Sequence, residues 1–135
     1  MPAANAFLDS NVVLYLLSDD ARKADRAEKL LAREPRISVQ VLNEVASVAR
    51  RKLGMKWAEI EELLQAVRAH CAVESLTIET HDTGVRLARD LGLSFYDAMI
   101  AASALLAGCT ILYSEDMHDG LIIDKRLKVR NPFVA

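Results

Sequence analysis

Four carboxylates in this chain stand where folding alone gives little reason to keep them: Asp9, Glu44, Asp97 and Asp116. Asp9 closes the short apolar run Asn5-Ala6-Phe7-Leu8-Asp9, and Asp116 follows the β-branched and aromatic run Thr110-Ile111-Leu112-Tyr113. Both runs read as buried strands, and in open parallel α/β sheets ligands bind beyond the carboxyl ends of the strands. Glu44 lies about 60° from Val41 and about 40° from Val48 around a helix, so it borders a buried face. Asp97 is the single charged residue of an otherwise apolar helix and sits in its first turn. Taken singly, each acid has a structural reading. Asp9 caps the helix beginning near Asn11. Asp97 caps its own helix and favours the positive end of its dipole. Glu44 is a boundary residue with its carboxylate in water, and Asp116 and Asp119 are turn residues before Gly120. Taken together they point elsewhere. Converging carboxylates repel and hold their protons unless a cation sits between them. An all-oxygen ligand set with spare positions suits Mg²⁺ or Mn²⁺. Such an ion activates water and stabilises in-line displacement at phosphorus. The chemistry implied is metal-assisted phosphodiester hydrolysis.

The elements that must position these acids follow from periodicity. Residues 21–33 repeat apolar side chains at Ala24, Ala27, Leu30 and Leu31, a helical spacing that Pro35 ends. Ile37-Ser38-Val39 reads as a short strand. Residues 40–53 form a helix with Val41, Leu42, Val45, Val48, Ala49 and Leu53 facing inward, closed by Gly54. Residues 57–70 form the next, with Ile60, Leu63, Leu64 and Val67 on one face and Trp57 anchoring its start in the core. A short strand is expected at 72–76 and an amphipathic helix at 80–91, with Gly92 as its cap. Ser94-Phe95-Tyr96-Asp97 fits a capping pattern, Ser followed three residues later by an acid. The helix it opens runs to residue 107, is apolar almost all round, and so is expected to lie buried between layers. Val129 and its neighbours read as a last edge strand before Pro132. Short apolar strands alternating with helices predict a three-layer α/β/α domain with a short, mostly parallel central sheet.

Composition bounds the function. At 135 residues the prior is a single domain, 1–135, with enough chain for one core. Hydrophobic residues are 52% and charged residues 27%, which excludes global disorder. Alanine and leucine number 20 and 19 against 5 glycines and 3 prolines, so helix should dominate. Lysine and arginine total 17 against 19 acids, a net charge of −2, so there is no generic basic coat. A local acidic cluster can still mask local basic patches. Cys71 and Cys109 are too few for a disulfide scaffold or a zinc site and read as buried thiols in a reducing compartment. The N-terminus lacks a basic region, and Asp9 interrupts its apolar stretch, so no signal peptide is expected. The long uncharged run 98–113 is shorter than a membrane span, and so is its extension to Ser114. The expected location is the cytoplasm.

Phe7-Leu8-Asp9-Ser10-Asn11-Val12, Asn43-Glu44-Val45, Leu93-Ser94-Phe95-Tyr96-Asp97-Ala98 and Ser114-Glu115-Asp116 resemble the acidic motifs of PIN domains. Their order and their intervals of 35, 53 and 19 residues fit that family, and the resemblance spans nearly the whole chain. It is closest to the single-domain VapC-type toxin ribonucleases. The resemblance implies an acidic quartet of Asp9, Glu44, Asp97 and Asp116. Asp9, Asp97 and Asp116 would be the Mg²⁺ or Mn²⁺ ligands, and Glu44 would act directly or through water. Asn11 would orient Asp9, Ser114 matches a small hydroxyl residue often found before the last acid, and Asp119 is a possible fifth acid. It also implies an RNA substrate, a small antitoxin partner and a homodimer. The family does not generally supply a histidine at His118, which reads as an exposed loop histidine, against the alternative that beside an acidic site it contacts RNA or titrates with pH. His70 and His81 are assigned no role.

An RNA backbone needs cations near the acids. Arg51 lies seven residues beyond Glu44, about 20° away on a helical wheel, so the two share one side of their helix. Arg51 is therefore expected to contact phosphate, against the alternative that a helix C-terminus simply favours positive charge. Arg22-Lys23 with Arg26, and Lys125-Arg126 with Lys128 and Arg130, form two further basic groups of open meaning. The competing function is a non-catalytic RNA- or protein-binding module on the same fold. A receiver-type phosphotransfer domain is disfavoured because Asp9 has no paired acid beside it and Ile37-Ser38-Val39 ends without an aspartate. A haloacid-dehalogenase-type phosphatase fails because its second aspartate would be Asn11.

Overall fold

The structure, a computed structural model, describes residues 5–134. The first four residues, part of the stretch read above as lacking a targeting signal, and Ala135 lie outside it. Six strands form one sheet: β1 (Ala6–Leu8), β2 (Arg36–Ser38), β3 (Ala72–Glu74), β4 (Ile111–Tyr113), β5 (Ile122–Ile123) and β6 (Leu127–Arg130). Their order is β3-β2-β1-β4-β6-β5. All neighbours run parallel except β5, which is antiparallel to β6. The helices are α1 (Ser10–Leu14), α2 (Ala21–Leu31), α3 (Val39–Arg51), α4 (Trp57–His70), α5 (Ile78–Leu91) and α6 (Phe95–Leu106), with a 3-10 turn at Tyr15–Leu17. Helix α1 packs on both α2 and α3, α3 packs on α4 and α5 on α6, and α3 and α6 both touch the sheet. The result is the three-layer α/β/α arrangement expected.

The strands are two to four residues long, and the sheet they form is covered by helices. Phe7, Leu8, Ile37, Leu112 and Val129 are all at or below 1% exposure, as a parallel sheet buried on both faces requires. Helix α6 continues that core: Ala98 and every residue from Ile100 to Leu105 are buried, including Ser103. Alanines at 98, 101, 102 and 104 let its backbone come close to the sheet. Its first turn and Leu106 are the exposed parts.

Three sequence expectations need correction. Trp57 is 56% exposed rather than anchored in the core, and its ring packs under the Arg50 guanidinium at 4.9 Å. Leu53 is 52% exposed, because α3 stops at Arg51 and turns before reaching it. Val129 is not on an edge: β6 is interior, covered by β5. The hairpin between them turns on Asp124 and Lys125, which both take positive φ (51° and 62°). Arg126 N–H closes that turn onto the Ile123 carbonyl at 3.2 Å, and the Arg86 guanidinium holds the Asp124 carboxylate at 2.7 and 3.1 Å. Among the described residues no helix is long and apolar enough to cross a membrane.

Candidate active site

The strand order places the site. From β1 the chain moves outward to β2 and β3, then returns to β4 on the other side of β1. The crevice between β1 and β4 is therefore a point where strand order reverses, the place where open α/β sheets bind ligands. Asp9 follows β1 and Ser114 follows β4, so both face this crevice. Asp9 N–H donates to the Tyr113 carbonyl at 2.9 Å, which locks the two strand ends together.

Asp9 is 4% exposed. Its Oδ1 accepts the Ser10 N–H at 2.7 Å, capping α1. Its Oδ2 accepts the Ser114 hydroxyl at 2.8 Å and the Asn11 amide at 3.4 Å. Asn11 Oδ1 in turn accepts the Glu115 N–H at 3.2 Å. Ser114 Oγ also accepts the N–H groups of Asp116 and Met117, at 3.3 and 3.4 Å. One buried hydroxyl thus joins the first acid to the loop that carries the last. Despite these donors, burial pushes the Asp9 carboxyl from 3.8 to about 6, and the charges of Asp97 and Glu44 push it the same way. Desolvation is the largest cause.

Asp97 belongs to the first turn of α6, where its N–H is capped by Ser94 Oγ at 3.3 Å. Gln40, a buried residue of α3, donates its side-chain amide to the Tyr96 carbonyl at 3.1 Å. That bond seats the start of α6 beside the end of β2 and brings Asp97 to the crevice. Burial raises the Asp97 carboxyl too, the Ser94 bond opposes the rise, and the charge of Asp116 adds to it. The four acids are therefore coupled in a chain: Glu44 and Asp97 act on Asp9, and Asp116 acts on Asp97. Glu44 is half-buried on the second turn of α3, and Asp116 is exposed on its loop.

These acids surround the crevice without closing on one point. Among the described residues no three His, Cys, Asp or Glu side chains lie close enough to hold one ion. A tight three-carboxylate grip by Asp9, Asp97 and Asp116 is not formed as the side chains stand. That is compatible with Mg²⁺, which keeps several waters and takes one or two protein carboxylates. Asp9 and Asp97, the two acids whose protons are held too tightly, fit that role by charge.

The remaining expected residues fall outside the cluster. Asp119 is exposed and accepts the Asn131 N–H at 2.9 Å, so its carboxylate fastens the end of β6. His118 is exposed on the same loop. Arg51 is exposed in the last turn of α3, and its Nε donates to Ser47 Oγ at 2.9 Å. Of the second basic group, Arg22 and Arg26 hold the Phe133 and Pro132 carbonyls, each at 3.1 Å. Lys23 pairs with Glu115 at 2.7 Å and with the Tyr15 hydroxyl at 3.0 Å. In the third group, Arg126 donates to the Leu105 carbonyl at 3.1 Å, at the end of α6. These bonds turn the acid next to Asp116 away from the crevice and tie down the C-terminal segment. Sequence reading missed Glu115's partners and Gln40, since nothing in their spacing shows a contact across 92 or 56 residues. Burial lifts the Cys71 thiol to about 12 and the Cys109 thiol to about 11, so neither is a nucleophile at neutral pH. Beside the crevice, Asn11, Leu14, Tyr15, Leu17, Ser18, Val48 and Leu53 line a cavity of about 290 Å³ that is almost wholly apolar.

A family model described as the PIN domain matches residues 6–118, which include all four acids. No curated protein matches the sequence. A chain of a toxin–antitoxin complex from Klebsiella pneumoniae superposes with a TM-score of 0.73 at 20% identity, over 95% of this chain and 98% of that one. VapC20 of Mycobacterium tuberculosis, described as a sarcin–ricin loop cleaving toxin, gives 0.65 at 26% identity, over 82% and 89%. VapBC2 of Rickettsia felis, crystallised with a DNA fragment from its promoter, gives 0.69 at 18% identity, over 93% and 97%. The first and third of these likenesses show a shared fold.

Proposed function

The chain belongs to the PIN domain family, and we propose that it is a Mg²⁺- or Mn²⁺-dependent endoribonuclease, the toxin of a VapBC-type toxin–antitoxin pair. One observation carries the reading. A buried aspartate at a sheet switch point is raised to about 6 by burial and by the charges of Asp97 and Glu44. Although the Asp9 side chain caps α1, burying its charge beside other acids burdens the fold, whereas a divalent cation reverses that sign. When bound, such an ion supplies charge neutralisation at the phosphate and activation of water for in-line attack. The residues of the chain do the rest. Asp9 and Asp97 hold the cation. Ser114 and Asn11 fix the Asp9 carboxylate, and Ser114 holds the Asp116 loop in register with it. Asp116 and Glu44, both open to water, orient solvent around the site. Arg51 contacts a phosphate further along the strand. Asp119 is kept as a fastener of the loop.

The antitoxin belongs to the same proposal and rests on the likeness to toxin–antitoxin complexes. The apolar cavity beside Asn11 has the character to take an apolar side chain of such a partner. A homodimer and a cytoplasmic location complete the reading.

The alternative is a PIN-fold module that binds RNA or protein without turnover. It draws support from the exposure of Asp116 and from the open spacing of the acids. Incubating the purified protein with total RNA in Mg²⁺, in Mn²⁺ and in chelator decides between them, with Asp97→Asn as the contamination control. Cleavage that needs metal and vanishes in the mutant establishes the nuclease. No cleavage by folded protein in either metal favours the module.

A further inference from the structure

We propose that Tyr96, carried on Phe95 at the start of α6, is a stacking ledge for an unpaired base of the RNA strand, an inference that rests on the nuclease reading above. Tyr96 is 66% exposed and Phe95 44%. Neither ring is loose. They meet edge to face, centroids 5.5 Å apart at 79°, and the His81 ring of α5 closes on Phe95 at 6.3 Å and 64°. The backbone beneath is fixed from two sides, by the Gln40 bond to the Tyr96 carbonyl and by the Ser94 cap on Asp97. A large flat side chain therefore stands in water on a rigid support, one residue before a carboxylate of the crevice.

A base is the occupant this geometry suits. Every nucleobase has a π-face, and stacking on an aromatic side chain tolerates any sequence. Tyr96 and Asp97 are consecutive in one helical turn and point about 100° apart, so the ring takes the base of one nucleotide while the acid cluster takes the phosphate of its neighbour through a cation. A base inside a duplex already stacks on both neighbours and cannot use the ledge. The ledge thus selects single-stranded or looped RNA, whose bases can be splayed out. It also supplies grip where the acids cannot, since bare carboxylates repel the backbone.

The test uses Tyr96→Ala and Tyr96→Trp with a short fluorescein-labelled single-stranded RNA, and the same strand with abasic positions. Affinity is read by anisotropy in chelator, cleavage by steady-state kinetics in Mg²⁺ and Mn²⁺, and self-association by sedimentation. Stacking predicts a rise in Kd and KM of about 5- to 150-fold for Tyr96→Ala with little change in kcat. Tyr96→Trp should restore the affinity, and the abasic strand should bind the wild type and the alanine variant alike. Equal affinity of wild type and Tyr96→Ala for the intact strand, with cleavage intact, overturns the ledge and leaves the nuclease standing. Tyr96-dependent binding without cleavage by the wild type keeps the ledge and refutes the nuclease. Loss of self-association with unchanged RNA affinity assigns the ring to a contact between copies and overturns the proposal.

Discussion

Replacing Asp9 by asparagine should make the metal-free protein more stable. The Asp9 carboxyl is raised from 3.8 to about 6 in the folded chain. The native state therefore binds more protons than the unfolded state between about pH 4 and pH 6, and stability falls as pH rises through that window. Below about pH 4 both states are protonated and the cost is absent. Above about pH 6 both are ionised and the full cost is present. A shift of roughly two units at 1.36 kcal/mol each is about 3 kcal/mol. Asparagine keeps the shape and still accepts the Ser10 N–H. The Ser114 bond to the carboxylate is already counted in that shift, and an amide in place of the protonated carboxyl fits the Ser114 and Asn11 donors less well, a cost of about 1 kcal/mol. The net gain at pH 7.5 is about 2 kcal/mol, or about 7 °C in Tm for a chain of this length. The assay is thermal or urea unfolding of both proteins in chelator, from pH 4 to pH 8. The variant should gain only above pH 5, and its stability should lack the wild-type decline between pH 4 and pH 6. Adding Mg²⁺ should stabilise the wild type more than the variant. A variant less stable than wild type at pH 7.5 in chelator would refute the reasoning, because the hydrogen bonds to Asp9 would then outweigh its desolvation.

Asp97→Asn should abolish metal-dependent cleavage and raise Tm in chelator, with the gain shrinking or reversing in Mg²⁺; a lower Tm in chelator would mark Asp97 as a structural cap. Ser114→Ala should cost about 1–3 kcal/mol in urea unfolding, because it removes the buried hydroxyl that serves Asp9, Asp116 and Met117 at once. Arg51→Ala should weaken RNA binding and lower the salt slope by about 0.7 for one lost phosphate contact; unchanged affinity at every salt concentration counts against that contact. Trp57→Ala should cost under about 1 kcal/mol, since the ring is 56% exposed and offers only a surface contact to Arg50. A loss of about 3–5 kcal/mol would restore the core role expected from sequence.

What could be read from the sequence was what local chemistry writes down. Helix α5 ends on Gly92 at φ 68° and α6 begins at Ser94, each with the residue type its cap requires, whereas periodicity starts α5 only at residue 80 and misses its Thr77 cap. Asp9 was legible because an acid ending an apolar strand is a local anomaly. The β5–β6 hairpin was not, because its turn is Asp124-Lys125, and neither residue announces a positive φ as Asn-Gly would. Its conformation is held from outside by Arg86 on α5, 38 residues away. Trp57 and Leu53 misled for the opposite reason. Their positions fit a helical face, but α3 ends before Leu53, and Trp57 sits at the first position of α4, where its ring lies against the Arg50 side chain of α3 and stays largely in water.

The same logic separates Asp116 from Glu115, adjacent acids that spacing alone cannot rank. Glu115 is satisfied: it pairs with Lys23, accepts the Tyr15 hydroxyl, and is pulled below its usual carboxylate range by both. Asp9 and Asp97 shift the other way, raised chiefly by burial. A carboxylate lowered by a partner stabilises the fold, and one raised by burial and like charge burdens it until a cation arrives. Local conflict of that kind, in a chain whose caps and core otherwise agree, is the signature of a site kept for function. It also links the proton to the metal. A cation binding at Asp9 must displace the proton held there up to about pH 6, so metal affinity should rise with pH through that value and level off above it. Calorimetric titration with Mn²⁺ from pH 5 to pH 8 reads this directly. A flat affinity would place the ion away from Asp9 and leave its raised carboxyl without a purpose in the site.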